Sequence, residues 1–175
     1  MYDAIIVGAR CAGSAAALLL ARKGHKVLLV DRSTFPSDLA FSTHYIHQSG
    51  IARLKRWGLL DDVVRSGCPS ITSFYFDFGT FFLTGSPPRA DGVREAYAPR
   101  RRILDSILVD AAVAAGAELR GGFSVEEITF DSGAVCGIRG RQRGSTSSVD
   151  KGRIVIGADG MHSLVARVCV PPSTT

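Results

Sequence analysis

The opening stretch of about thirty residues constrains the fold of this chain more than any other part. An apolar run, a glycine turn, a helical stretch and a second apolar run follow in that order. Residues 4–7 are apolar and lead into Gly8, the pattern of a buried strand. Residues 14–23 are rich in Ala and Leu, strong helix formers, and Gly24 stands where a C-terminal glycine cap belongs. Residues 26–30 are apolar again and close on Asp31. Together these make a βαβ unit, and its right-handed crossover implies a parallel sheet.

The turn itself runs Gly8-Ala9-Arg10-Cys11-Ala12-Gly13, a variant of the dinucleotide fingerprint G-x-G-x-x-G with Arg10 at the second glycine. The first glycine permits the tight exit from the strand, the second the close approach of a pyrophosphate, and the last the packing of helix on strand. Arg10 gives up part of that approach and offers a guanidinium instead. The N–H groups and dipole of the helix N-terminus still favour a diphosphate. Asp31 follows Gly13 at close to the roughly 20-residue offset of the acid that accepts the ribose hydroxyls. An acid there disfavours an additional 2′-phosphate. The alternatives are a glycine turn with no nucleotide and a capping aspartate.

Further along, residues 46–58 carry Ile51, Leu54 and Trp57 at helical spacing, and residues 71–83 are aromatic-rich around Gly79-Thr80, which predicts a hairpin. Residues 86–93, with Pro87-Pro88 and Asp91-Gly92, form a loop. Residues 102–115 form the clearest amphipathic helix, ended by Gly116, and residues 117–120 a third parallel strand. Residues 123–128, 134–139 and 153–156 then predict a small antiparallel meander, with residues 140–148 as its polar tip.

Composition excludes several classes. The 175 residues are 46% hydrophobic and 21% charged, a balance of globular α/β proteins and not of disordered ones. The net charge of +5 is concentrated at Arg100-Arg101-Arg102, a local anion site and not the long basic stripe of a nucleic-acid binder. No run approaches the roughly 18 apolar residues of a membrane span, so no stable membrane insertion is expected. The N-terminus enters Ile5-Ile6-Val7 with no basic n-region or cleavage site, so secretion is not expected, and four scattered cysteines form no C-x-x-C pair. A cytoplasmic location with reduced thiols and no metal site is the expectation; His44-x-x-His47 lacks a third ligand at a sensible spacing.

Two later segments extend the pattern. Arg101-x-x-Leu104-Asp105 opens the amphipathic helix, and Gly157-Ala158-Asp159-Gly160-Met161-His162-Ser163 follows the last strand. With the glycine turn and Asp31-Arg32, the chain resembles FAD-dependent oxidoreductases of the aromatic-hydroxylase (group A flavin monooxygenase) and geranylgeranyl-reductase superfamily. The resemblance covers nearly the whole chain. It implies an α/β fold: a Rossmann-like FAD-binding parallel sheet with an antiparallel meander and part of a mixed substrate-binding sheet. The implied division is residues 1–70 as FAD-binding βαβ and helix, 71–98 as partial substrate-domain hairpin, and 99–175 as returning helix, strand, meander and DG motif.

By that resemblance, Gly8, Ala9, Arg10, Cys11, Ala12 and Gly13 frame the FAD diphosphate, Asp31 holds the adenosine ribose, and Arg32 flanks the adenine end. Arg101 sits by the phosphates or ribityl chain, the Val125 backbone meets the adenine edge, and Asp159 with Gly160 serves the flavin site. Arg101 and Asp159 keep structural alternatives, a solvated helix-start charge and a helix cap. Thr43 and His44 fall where the family's chain passes the flavin ring. The flavin itself supplies the redox chemistry, so no catalytic residue is singled out. NAD(P)H is the implied electron donor and a small organic molecule the substrate. Hydroxylation is the first expectation, from the GARCAG turn; alkene reduction on isoprenoids and a non-catalytic FAD- or nucleotide-binding module are the others. The family's third flavin segment lies further along than Thr175, so a fragment, a naturally short product or completion by a second chain are all open.

Overall fold

A computed structural model of the chain describes residues 1–37 and 42–169. In chain order the elements are β1 (Tyr2–Val7), α1 (Cys11–Ala21), β2 (Val27–Asp31), α2 (Gln48–Arg56), α3 (Leu60–Arg65), β3 (Ser70–Ile71), β4 (Phe74–Asp77), β5 (Phe82–Gly85) and β6 (Ala96–Tyr97). Then come α4 (Arg101–Ala114), β7 (Glu118–Gly121), β8 (Phe123–Asp131), β9 (Ala134–Gln142), β10 (Ser148–Gly157) and α5 (Leu164–Cys169). The chain forms two compact units, Met1–Ser37 with Leu108–Thr175, and Asp38–Ile107.

The first unit is built on one six-stranded sheet ordered β7-β2-β1-β10-β9-β8. Its βαβ start follows from the sequence pattern. β1 and β2 pair in parallel, Ile5 opposite Leu28 and Ile6 opposite Leu29, and β7 joins β2 in the same direction. Alternate residues face opposite sides of the sheet, and both sides are covered. Ile5, Leu28, Val30, Phe123, Ile138 and Val165 share one apolar cluster, while α1, with Ala17 and Leu18 wholly buried, packs against β1 and β2. This is why the two strands are continuous apolar runs. Each fully buried Ile, Leu or Val side chain here contributes about 1.5–3 kcal/mol relative to exposure.

One expectation is corrected. The last strand of the meander, expected to be antiparallel over residues 153–156, is the longer β10, and that part of it runs parallel to β1. Its first half pairs antiparallel with β9 (Val149 opposite Arg139), and its second half pairs parallel with β1 (Ile154 opposite Ala4, Gly157 opposite Val7). β10 is long enough to serve both partners, so sheet and meander are one structure. At the edge of this sheet the Arg120 guanidinium donates to Glu118, Asp150 and the Tyr2 hydroxyl, and the Tyr2 hydroxyl donates to Glu118 at 2.7 Å. These side chains tie β7, β10 and β1 together.

The second unit holds α2, α3 and the short strands. Gln48 donates to the Arg94 carbonyl at 3.2 Å, and Ile46 bridges Tyr97. The predicted helix over 46–58 is shorter than expected. The chain turns at Gly58 (φ +75°) and continues into α3, a six-residue element with Val63 fully buried, too short to show periodicity. The aromatic hairpin forms as predicted, β4 with β5, but as a separate two-stranded ribbon. Tyr75, Phe76, Phe78, Phe81, Phe82 and Leu83 are each 55–62% exposed. Stacking of Tyr75 on Phe82 (5.3 Å) and Phe78 on Phe81 (4.9 Å) covers part of those rings. Among the described residues, no helix is long and apolar enough to cross a membrane.

Candidate nucleotide-binding site

The fingerprint turn is a locked piece of backbone at the carboxyl end of β1. Gly8 has φ +102°, a conformation that favours glycine, and its N–H donates to the Val30 carbonyl at 2.8 Å. A Cβ on Gly13 would lie 1.7 Å from the Gly8 carbonyl oxygen, so only glycine lets α1 pack this closely on the strand. Arg10, at the position of the missing glycine, is the residue before α1 with extended backbone (φ −89°), which needs no glycine. Its guanidinium donates to Ser37 Oγ at 3.1 Å. Arg10 provides no side-chain cap, and the first turn of α1 contains no acid. The positive end of the helix favours an anion.

Asp31 joins this turn directly. One carboxylate oxygen accepts the Ala9 N–H at 2.7 Å and the other the Ser33 N–H at 2.8 Å, and the residue is buried. The aspartate thus clamps the fingerprint from the neighbouring strand, in the manner of the capping alternative. Each oxygen keeps a further lone pair for a hydroxyl. From the other side Ser14 Oγ donates to the Ala9 carbonyl at 2.6 Å. Neither serine was singled out from the sequence. The Asp-x-Ser spacing of Asp31 and Ser33 is the turn signal that points to one of them.

The DG segment meets the same turn. The Ala158 N–H donates to the Val7 carbonyl at 2.7 Å, and a Cβ on Gly8 would lie 2.3 Å from the Ala158 oxygen. Asp159 faces α5. It accepts from Ser163 Oγ at 2.5 Å and from the Leu164 N–H at 2.7 Å, while Ser163 Oγ accepts the Ala166 N–H at 2.9 Å. Asp159 and Ser163 together cap the helix. Gly160 (φ +82°) has open space where a Cβ would stand. So Gly8–Gly13, Asp31 and the Gly157–Gly160 stretch form one constellation.

Beyond Asp31 the sheet opens into a cleft of about 850 Å³. Its walls include Arg32, Ser33, Gly121, Gly122, Ser124 and Arg143. Arg32 is exposed at its rim. Val125, expected at the adenine edge, pairs with Gly140 in the β8–β9 ladder and packs against the apolar cluster. The residue of β8 that lines the cleft is its neighbour Ser124.

Arg101 belongs to the second unit. It opens α4 and donates twice to the wholly buried Asp105, at 3.0 and 3.3 Å, which explains the R-x-x-L-D spacing: a buried carboxylate one helical turn on needs a cation. His44 (φ +59°) accepts the Arg101 N–H on Nδ1 at 3.2 Å, a cap for α4. Tyr45 stands edge-on to His47 at 4.7 Å, and its buried hydroxyl has no hydrogen-bond partner among the described residues. No three His, Cys, Asp or Glu side chains among the described residues gather as metal ligands.

A parallel sheet with a clamped glycine turn, a strand-end aspartate and a cleft beyond it defines a Rossmann-like dinucleotide-binding protein. The FAD binding domain family matches residues 1–171, and the chain belongs to it. It is 31% identical over 166 residues to digeranylgeranylglycerophospholipid reductase 1 of Methanococcoides burtonii, covering 95% of this chain and 39% of that protein. It is 30% identical over 171 residues to the protein FixC of Salmonella typhi, covering 95% and 38%. Among solved structures, the probable FAD-dependent monooxygenase pqsL of Pseudomonas aeruginosa shares the fold with a TM-score of 0.80 at 21% identity, over 98% of this chain and 46% of that one. The chain thus spans about two fifths of the length of these curated relatives.

Proposed function

We propose that the chain binds FAD through its adenosine and diphosphate portion and serves an oxidoreductase whose substrate is an unsaturated isoprenoid. The observation that carries the FAD reading is the joint lock on the fingerprint turn by Asp31 and the DG segment. The residues present fit the cofactor. The N–H groups and dipole of the α1 N-terminus favour the diphosphate, Asp31 retains lone pairs toward ribose hydroxyls, and the cleft beyond it has room for a purine. Arg32 flanks that end. Asp159 and Gly160 shape the turn packed against Gly8, which keeps the backbone rigid where the cofactor approaches. Arg101 and Val125 keep their roles by family resemblance, at the phosphates and at the adenine edge. FAD, when bound, supplies two-electron redox chemistry at its ring system, with NAD(P)H as donor.

Alkene reduction is placed ahead of hydroxylation because the relatives near 30% identity include a reductase of geranylgeranyl lipids. The solved monooxygenase, at 21%, supports the fold alone. Hydroxylation of a small organic substrate is the second reading, favoured by the GARCAG turn. The test is incubation of the FAD-loaded protein with reductant and a geranylgeranyl lipid, with and without oxygen. Saturated product formed in both conditions supports the reductase. Oxygen-dependent hydroxylated product, or neither product, overturns it.

A further inference from the structure

The β9–β10 hairpin has no part in the fingerprint, yet its tip forms one wall of the cleft beyond Asp31. Arg141, Gln142, Arg143, Gly144 and Ser145 all line it. The tip is tied down. The Arg143 N–H donates to the Gly122 carbonyl at 3.3 Å, and the Ser145 N–H closes a turn on the Gln142 carbonyl at 3.0 Å. On the opposite wall the Gly122 N–H donates to the Ser33 carbonyl at 3.0 Å, which fixes the β7–β8 turn against the loop after Asp31. The cleft is therefore bounded by three segments that hydrogen-bond to one another.

Its charge is one-sided. Arg141 is held by Glu126 at 2.9 Å, but Arg32 and Arg143 have no carboxylate partner among the described residues. The cleft also continues the fingerprint, because Arg10 reaches Ser37 on its wall. A dinucleotide laid across the carboxyl ends of β1 and β2 would bring its purine here. A planar guanidinium suits such a ring in an open cleft, since it stacks on the base while its charge attracts the neighbouring phosphates.

We infer that the β9–β10 tip is a binding wall for the adenine of the bound nucleotide, and that Arg143 holds the base there by stacking on it. This rests on the FAD reading for the identity of the whole cofactor, but its ligand is the ADP portion. The experiment is therefore calorimetric titration of the full chain with ADP and, separately, with FAD, for the parent, Arg143→Ala, Arg143→Lys and Arg139→Ala. Arg139→Ala removes the same charge from the strand that leads into the tip, at a site that does not line the cleft, where Arg139 pairs with Glu127. Arg143→Ala is expected to weaken both ligands about tenfold, the scale of one lost stacking contact. Arg143→Lys should recover little of that loss, and Arg139→Ala should match the parent, with melting temperatures unchanged throughout. Equal affinities for the parent and Arg143→Ala, an equal loss in Arg139→Ala, or full recovery by lysine would overturn the inference. A parent that binds ADP but not FAD, with Arg143→Ala still tenfold weaker for ADP, supports this wall and defeats the FAD reading alone. A parent that binds neither ligand overturns both.

Discussion

Asp31 carries two jobs at one position. Its carboxylate accepts the Ala9 and Ser33 N–H groups, so removing it strands two donors in the turn the diphosphate would approach. Each stranded donor costs about 1–3 kcal/mol. Asp31→Ala is therefore expected to lower both the melting temperature and FAD affinity, measured by thermal unfolding and by titration. An unchanged melting temperature would contradict the clamp. The glycines offer a sharper contrast. Gly13→Ala drives a Cβ to within 1.7 Å of a backbone oxygen, so it should destabilise by at least about 2 kcal/mol. Gly160→Ala meets open space and costs only the left-handed backbone strain, about 1–2 kcal/mol. Urea midpoints of the two variants check the order; a Gly13→Ala protein as stable as the parent would refute the packing of α1 on β1. Gly13 and Asp31 were legible in the sequence because both sit at fixed offsets in a spaced motif. Ser14 and the cleft arginines Arg141 and Arg143 were not, since they act through tertiary neighbours that no local spacing encodes.

At the scale of elements, the edge of the main sheet depends on ionisation. Burial, followed by the hydrogen bond to Glu118, pushes the Tyr2 phenol up to about 12. The Tyr2 hydrogen bond, against the opposing effect of burial, holds the Glu118 carboxyl below its usual range. Arg120 is raised: burial acts against its charge, but the bonds to Asp150 and Glu118 outweigh it. The raised phenol stabilises the fold fully below its ordinary value of 10, and that stability is lost as pH climbs to about 12. The lowered Glu118 acts in the opposite window, stabilising above the ordinary 4.5 and failing as pH falls through its lowered value. Denaturant unfolding should show stability dropping between pH 10 and about 12 in the parent and dropping less in Tyr2→Phe. Identical slopes would remove this network from the account. Local periodicity revealed β1, α1, β2 and α4, whose apolar faces are long and regular. It did not reveal the double pairing of β10, because which partner each half of a strand takes is decided by tertiary register. The two-residue strands β3 and β6 are too short to carry a pattern at all.

Across the whole molecule, the described residues build a nucleotide end. The fingerprint, the strand-end aspartate and the cleft share the unit formed by Met1–Ser37 with Leu108–Thr175. The second unit exposes an aromatic ribbon whose rings cover one another only in part. This division accounts for what could be inferred early. Cofactor class follows from spaced backbone requirements, which sequence displays. Substrate chemistry depends on tertiary surfaces, which no local spacing encodes. FAD binding by this chain can be tested without assuming a substrate. The purified chain, incubated with equal concentrations of FAD, FMN and NAD and freed of unbound ligand, is denatured and its released cofactor identified by mass spectrometry. FAD should be released in excess over both competitors; NAD alone, or no nucleotide at all, would show that the chain is not an FAD-binding protein.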